Sequence, residues 1–240
     1  MQEEKFITGI HNYCDRWCER CTFTARCRVF SMEQEDTDEE RDINNEAFWR
    51  NLAGIFAQAK TVIREKAEEF GIDVDAVSDE EFAEIKRRRE ENLSREDLPK
   101  LAEKYGRESR KILEEKDEWL IFSALNEETQ NEMLSIIYWY QYFIGAKIHR
   151  GLSGIFDSDG NFDAEELEDA QSDANGSIKI ALIAVERSLM AWTVLLTNEN
   201  ARTIEPLLNL LETIKRKAEE KFPNARDFIR PGFDEIETVM

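Results

Sequence analysis

Proline and glycine are scarce in this sequence, with four and ten residues among 240. Both residues interrupt helices, and the chain is otherwise rich in Glu, Ala, Leu, Lys, Arg and Ile, which favour helices over strands. Histidine is scarcer still, with two residues. This argues against a ferritin-like di-iron centre, which needs two Glu-x-x-His elements. The sequence also lacks a phosphate-binding loop, a dinucleotide fingerprint and a Ser–His–Asp pattern.

Basic residues are few relative to acidic ones: 32 against 52, for a net charge of −20. A chain this acidic repels phosphate, so we expect neither nucleic acid nor an anionic membrane surface as a partner. Long apolar runs are also missing. The segment 133–148 is too short to span a bilayer, and 178–196 contains three charged residues, so both are predicted to be buried helices.

The N-terminus lacks the basic start and apolar run that mark a signal peptide. We therefore expect a cytoplasmic, acidic protein that has a protein partner and binds no nucleic acid or membrane. The sequence predicts no oligomeric state.

All four cysteines, Cys14, Cys18, Cys21 and Cys27, lie within fourteen residues. In a reducing compartment such a cluster favours metal binding over disulfides, and cysteines on adjacent helical turns are poorly oriented for bridging. The spacing Cys-x3-Cys-x2-Cys-x5-Cys is compact, which suits one [4Fe–4S] cluster. Structural zinc usually binds two pairs of ligands that are separated by a longer stretch of sequence. Zinc is therefore the alternative to the cluster, and copper or no metal ranks below it. His11 could replace one cysteine ligand.

The stretch CERCTFTARC, from Cys18 to Cys27, resembles the Cys-x2-Cys-x-aromatic-x3-Cys element of iron–sulfur nucleases of the CRISPR-adaptation and AddB helicase–nuclease type. In those nucleases the three cysteines, with a remote fourth, hold a [4Fe–4S] cluster that staples the fold. The resemblance implies that Cys18, Cys21 and Cys27 are cluster ligands, with Cys14 as the fourth. It covers about ten residues. The chain lacks a strand-borne Asp with a Glu-x-Lys pattern, so the resemblance implies the cluster and not the nuclease activity.

The predicted fold is all-α: a multi-helix bundle with an N-terminal cysteine-rich helical metal module. The predicted organisation is a metal module at 1–30, an acidic linker at 31–46, a helical bundle at 47–222 and a C-terminal tail at 223–240. Apolar residues at steps of three and four predict a helix over 3–22, which would place Cys14, Cys18 and Cys21 on one face.

Further helices are predicted at about 45–70, after Ser78, after Asn126, at 163–197 and at 199–221. Ser78 and Asn126 are predicted N-caps. The segment 157–166 resembles an EF-hand calcium loop, but Phe162 stands where the loop needs glycine. We therefore predict an acidic connection between helices there, with calcium as the alternative.

Three functions are consistent with these patterns. The first is a metal-binding helical protein with one [4Fe–4S] cluster in a structural, redox-sensing or electron-transfer role. The second is a zinc-stapled interaction protein that is not an enzyme. The third is a small-molecule enzyme or ligand binder, although no catalytic residues are assigned. Polar residues on the two apolar helices would line its pocket: Lys147, His149, Asp173, Lys179, Glu186 and Arg187. Alternatively, these polar residues have a structural role. Lys147, His149 and Arg150 would then pair with the charged residues of the helix predicted at 163–197.

Overall fold

The computed structural model describes residues 5–35, 37–71, 78–115, 119–120, 125–156 and 162–235. Within these ranges the chain is helical and contains no strand, apart from one isolated bridge between Phe156 and Phe162. The all-α prediction is therefore confirmed. The α-helices are α1 Arg28–Glu35, α2 Asp38–Arg41, α3 Glu46–Glu69, α4 Asp79–Arg95, α5 Asp97–Glu114, α6 Glu127–Gly154, α7 Ala164–Glu168, α8 Asp173–Leu195 and α9 Ala201–Lys221. None of these described helices is long and apolar enough to cross a membrane.

The chain forms two compact units. The first unit comprises Met1–Ile7 and Cys18–Lys86, and the second comprises Thr8–Trp17 and Arg87–Met240. The division runs through α4. The boundaries at 1–30, 31–46, 47–222 and 223–240 stay predictions. The acidic segment 31–46 contains the end of α1 and all of α2. Thr37 and Glu40 cap the start of α2 with reciprocal hydrogen bonds.

The second unit contains a helical bundle in which α5, α6, α8 and α9 pack around one apolar core. α6 approaches α8 closely at Gly151, where an added Cβ would lie 2.6 Å from the Ile178 side chain. Glycine is therefore required at that crossing. The two apolar segments are buried helices, as predicted, and each large core side chain contributes about 1.5–3 kcal/mol through its burial. The largest fully buried side chains include Trp192, Tyr105, Tyr140, Phe222, Leu113, Ile137, Ile144, Ile148, Leu152, Ile155 and Ile178.

Helix caps follow the sequence signals at two of the predicted starts. The side chain of Asn126 accepts the Thr129 N–H at 2.8 Å at the start of α6. Ser78, the other predicted N-cap, forms a capping box with Glu81, with bonds of 3.2 and 2.9 Å. Both caps stabilise backbone N–H groups that have no partner within the helix.

The predicted single helix over 163–197 is wrong, because the chain breaks between α7 and α8. Ser172 caps α8 by accepting the Asn175 N–H at 3.1 Å. The Asn175 side chain donates to the carbonyls of Leu167 and Asp169 at 2.9 and 2.8 Å. These side-chain bonds compete with continuous helix and stabilise the turn instead.

The predicted helix over 3–22 is also wrong. The chain there forms short 3-10 turns, Ile10–Asn12, Cys18–Arg20 and Thr24–Arg26. Gly9 and Arg16 have φ angles of 74° and 59°, a left-handed conformation that a right-handed helix cannot contain. Cys14, Cys18 and Cys21 therefore do not share one face of a continuous helix.

Residues 157–161 of the EF-hand-like segment lie outside the described residues. On either side of them, Phe156 and Phe162 form the antiparallel bridge, and the Asp163 N–H donates to the Ile155 carbonyl at 2.7 Å. Asp163 then caps α7 by accepting the Glu165 and Glu166 N–H groups. Calcium binding by this segment stays a prediction.

Candidate metal centre

Three of the four cysteines belong to the first unit, where two tight turns carry them. Cys18 opens a 3-10 turn, and the Cys21 N–H donates to the Cys18 carbonyl at 3.1 Å. The Phe23 N–H then donates to the Cys21 sulfur at 3.4 Å. Cys27 precedes α1, and its carbonyl accepts the Ser31 N–H at 3.1 Å. A backbone N–H directed at a cysteine sulfur stabilises negative charge on that sulfur, which is the form that binds metals.

The N-terminal residues of the same unit brace the turn before Cys27. The Ile7 N–H donates to the Arg26 carbonyl at 3.0 Å. The Arg28 guanidinium lies over the Phe6 ring, 5.4 Å from its centroid. A guanidinium over an aromatic face is attracted by the ring, and the attraction is worth about 0.5–1 kcal/mol at an exposed site.

Cys14 belongs to the second unit. Its thiol is half-buried and donates to the His11 carbonyl at 3.5 Å. Burial raises the pKa of the Cys14 thiol and outweighs the opposing effects of Arg16 and Lys147. Burial also lowers the pKa of His11, and the charges of Arg16 and Arg150 lower it further. The lowered pKa favours the neutral form of His11, which is the form of imidazole that can bind a metal.

The segment Thr8–Trp17 is fixed to the bundle of the second unit by its apolar side chains. Ile10 is buried, and Trp17 stacks on Trp139 with ring centroids 5.0 Å apart. The Tyr13 ring lies 4.4 Å from the Phe228 ring. Gly176 leaves room for both of these rings, because an added Cβ there would lie 2.6 Å from Tyr13 and 2.7 Å from Phe228.

Asp15 forms the polar attachment of the same segment. Its carbonyl accepts the Trp139 indole N–H at 2.8 Å, and its carboxylate accepts the Tyr140 hydroxyl at 2.7 Å. Arg187 forms an ion pair with the same carboxylate and also donates to the Tyr140 hydroxyl. Burial and the nearby Asp15 raise the pKa of Tyr140, so the phenol stays protonated as a donor. Lys147 adds a bond to the Asn12 carbonyl at 3.0 Å.

Tyr13 and Asp173 form a further attachment. The Tyr13 hydroxyl donates to the Asp173 carboxylate at 3.0 Å, and Arg150 donates to the same carboxylate through two nitrogens. Burial, with the charge of Asp173 and the hydrogen bond to it, raises the pKa of Tyr13 to about 12. A carboxylate shared by a phenol and a guanidinium holds both donors in place.

The residues nominated for a small-molecule pocket have separate partners in the second unit. The predicted partners of the second apolar helix are confirmed in part: Arg150 pairs with Asp173, whereas Lys179 and Glu186 pair with other residues. Lys179 instead pairs with Asp234 at 2.8 Å and donates to the Phe228 carbonyl. Glu186 pairs with Lys215 and Arg226 at 3.1 and 2.6 Å. His149 lies 3.4 Å from the Ser153 hydroxyl, within its own helix.

A cleft of about 440 Å³ exists elsewhere in the second unit. None of the six nominated residues lines it, and Lys221 at its wall already pairs with Glu96 at 2.7 Å. The lining residues are Arg88, Glu91, Asn92, Arg95, Glu96, Ile155, Phe156, Phe162 and Lys221.

The four cysteines fit a metal by donor chemistry, since none of the four forms a disulfide and all are of intermediate exposure. Four thiolates match the donors of a [4Fe–4S] cluster and of a structural zinc ion. Among the residues that the structure describes, no three His, Cys, Asp or Glu side chains are grouped closely enough to hold a metal ion. Metal binding by Cys14, Cys18, Cys21 and Cys27 therefore stays a prediction.

The sequence patterns missed the residues that hold Thr8–Trp17 on the bundle, chiefly Asp15, Tyr140 and Arg187. Tyr140 and Arg187 lie 125 and 172 residues from Asp15 along the chain, so no local spacing could connect them. One signal was available: charged residues such as Lys147, Lys179 and Arg187 interrupt the apolar segments of these two helices, and polar groups there need partners.

No family model, curated protein or solved structure matched the chain.

Proposed function

We propose that this chain is a metal-binding helical protein whose Cys14, Cys18, Cys21 and Cys27 hold one [4Fe–4S] cluster. The observation that carries the proposal is the confinement of every cysteine in 240 residues to positions 14 through 27. Buried structural cysteines would be distributed over the helices, as the other small core residues are. The absence of a disulfide among the four cysteines and the N–H group directed at the Cys21 sulfur support the same assignment.

A cluster is favoured over zinc by the compactness of the ligand set. Four sulfurs around one small cube can come from short, consecutive turns, whereas structural zinc sites more often use two pairs with a long separation. When bound, a [4Fe–4S] cluster supplies either a structural cross-link or one-electron redox chemistry. The protein's own contribution is to fix Cys14 through the attachments of its neighbours Tyr13 and Asp15, and to present Cys21 with a backbone hydrogen bond.

The test is the metal content of single cysteine variants purified without air. We expect the wild-type protein to contain about four iron and four sulfide per chain. Each of Cys14→Ser, Cys18→Ser, Cys21→Ser and Cys27→Ser should lower that content several-fold. Thr22→Ser is the matched control, since Thr22 is exposed between the ligands, and it should retain the full content. Four variants with wild-type metal content would refute the ligand assignment.

A zinc-stapled interaction protein is the second candidate. The observation that favours it is the set of large apolar side chains that α3 exposes, including Phe56 and Ile63. The same purification separates the two metals: one zinc per chain, with no iron and no sulfide, would favour the second candidate and exclude the first.

A further inference from the structure

Helix α3 carries a regular apolar stripe along its length. We call Trp49, Leu52, Phe56, Ala59 and Ile63 the α3 stripe. Its members are separated alternately by three and four residues, so they lie along one side of the helix. Ile55 and Val62 lie beside the stripe, both on the same side of it. Each follows a stripe residue by three positions, Leu52 and Ala59 respectively. This is the pattern of a helix that packs lengthwise against another helix.

Four of the five stripe residues are exposed in this chain, and Leu52 is of intermediate exposure. Trp49 is 54% exposed, Phe56 66% and Ile63 60%, and Phe70, directly after the helix, is 72% exposed. The flanking Ile55 and Val62 are about half exposed as well. A surface helix normally buries such a stripe, and a contiguous apolar surface of this size on a soluble chain marks an interaction site.

The exposed area matches what one partner contributes to a stable dimer. The usual areas of these six large side chains, scaled by their exposed fractions, give on the order of 600–700 Å² per copy. Two copies would together bury on the order of 1,300 Å², within the range of specific interfaces. The 24 residues of α3 provide about 36 Å of length for the contact.

Charge permits self-association at α3, although the whole chain carries −20. The helix contains four acidic and four basic residues, so its net charge is zero. Two copies of α3 therefore meet without the repulsion that most of the surface would impose. The acidic residues of α3 are Glu46, Glu65, Glu68 and Glu69, and the basic residues are Arg50, Lys60, Arg64 and Lys66.

We propose that α3 is a homodimerisation helix that packs antiparallel on α3 of a second copy. A two-fold axis between Ala57 and Gln58 places Phe56 of one copy opposite Ala59 of the other. It also places Leu52 opposite Ile63. The large Phe56 then meets a small side chain, Leu52 and Ile63 are of equal size, and each contact occurs twice. Parallel pairing would instead place Phe56 on Phe56 and Ala59 on Ala59, which overfills one layer and leaves a void in the other.

The experiment is sedimentation equilibrium of the full chain over a concentration series, with far-UV circular dichroism to verify folding. We expect a dimer for the wild type. Phe56→Glu and Ile63→Glu, made separately, should each weaken it by about 100-fold or more, because each places two charges in the apolar contact. Both positions are exposed in the chain, so neither variant should unfold it. Gln58→Glu, on the opposite side of the helix, is the control and should leave dimerisation nearly unchanged.

The register is tested by exchanging the large and small residues. Ala59→Phe alone should weaken the dimer, because two phenylalanines would then face each other. Phe56→Ala combined with Ala59→Phe should restore it, since a large and a small side chain again meet in each layer. A wild-type chain that stays monomeric at about 100 μM would overturn the proposal, and so would a dimer that neither glutamate variant weakens. The proposal does not depend on the metal, so it can fail while the cluster assignment stands.

Discussion

Replacing Gly176 with alanine should loosen the attachment of Thr8–Trp17 to the bundle. The new Cβ would lie 2.6 Å from the Tyr13 ring and 2.7 Å from the Phe228 ring. Overpacking of this kind costs about 1–3 kcal/mol, and alanine recovers up to about 1 kcal/mol of helix propensity. Because two packed rings must move together, we expect a net loss of about 1–2 kcal/mol. For a chain of this size that lowers Tm by about 2–8 °C.

Gly145→Ala is the matched control for this substitution. Gly145 also lies inside a helix of the bundle, but its added Cβ would meet the Ala102 Cβ at an ordinary 3.8 Å. We expect that variant to be stabilised by about 0.5–1 kcal/mol. The assay is thermal unfolding, combined with hydrogen exchange of residues 8–17, which should accelerate in Gly176→Ala and stay unchanged in Gly145→Ala. If both variants rose equally in Tm, the rings would not be packed against Gly176 and the reasoning would fail.

Three further perturbations test the contacts of the second unit. Asp15→Ala removes the acceptor of Tyr140 and the partner of Arg187, so it should cost about 1–3 kcal/mol and accelerate exchange over residues 8–17; unchanged exchange would contradict this role. Ser172→Ala removes the cap of α8 and should cost about 1 kcal/mol in denaturant unfolding, while Ser94→Ala at an exposed position should cost less. Burial alone would raise the pKa of Asp234, but hydrogen bonds from Arg230 and Lys179 outweigh it and hold that pKa well below its usual range. The pKa of Asp234 is therefore lower in the folded chain than in the unfolded chain. The stability that its ionised carboxylate contributes is present above the unfolded pKa of about 4, and it is lost as the pH falls towards the folded pKa. Proteolysis of the 228–235 segment should increase over that interval, and Asp234→Asn should remove the pH dependence.

The bundle could be predicted from the sequence because its helices carry strong local signals. Asn126 marks the start of α6 through a bond that spans three residues, and the apolar residues of α6 and α8 repeat at helical spacing. Local patterns of this kind need no knowledge of the rest of the fold.

The N-terminal segment could not be predicted in the same way. Ile10, Tyr13 and Trp17 have helical spacing, but they are apolar because they pack on the bundle of the second unit. Tertiary contact therefore produced a false helical pattern, and the left-handed Arg16 gave no sequence signal. The break before α8 was missed for a related reason. Asn175 can continue a helix, and its bonds to Leu167 and Asp169 become visible only in the folded chain.

The most direct test of the cluster assignment is the absorbance spectrum of the wild-type protein purified without air, together with its iron, sulfide and zinc content. Four cysteine thiolates on one [4Fe–4S] cluster predict a brown protein with a broad absorbance near about 400 nm and about four iron and four sulfide per chain. A colourless protein that contains one zinc per chain, or no metal at all, would contradict that assignment.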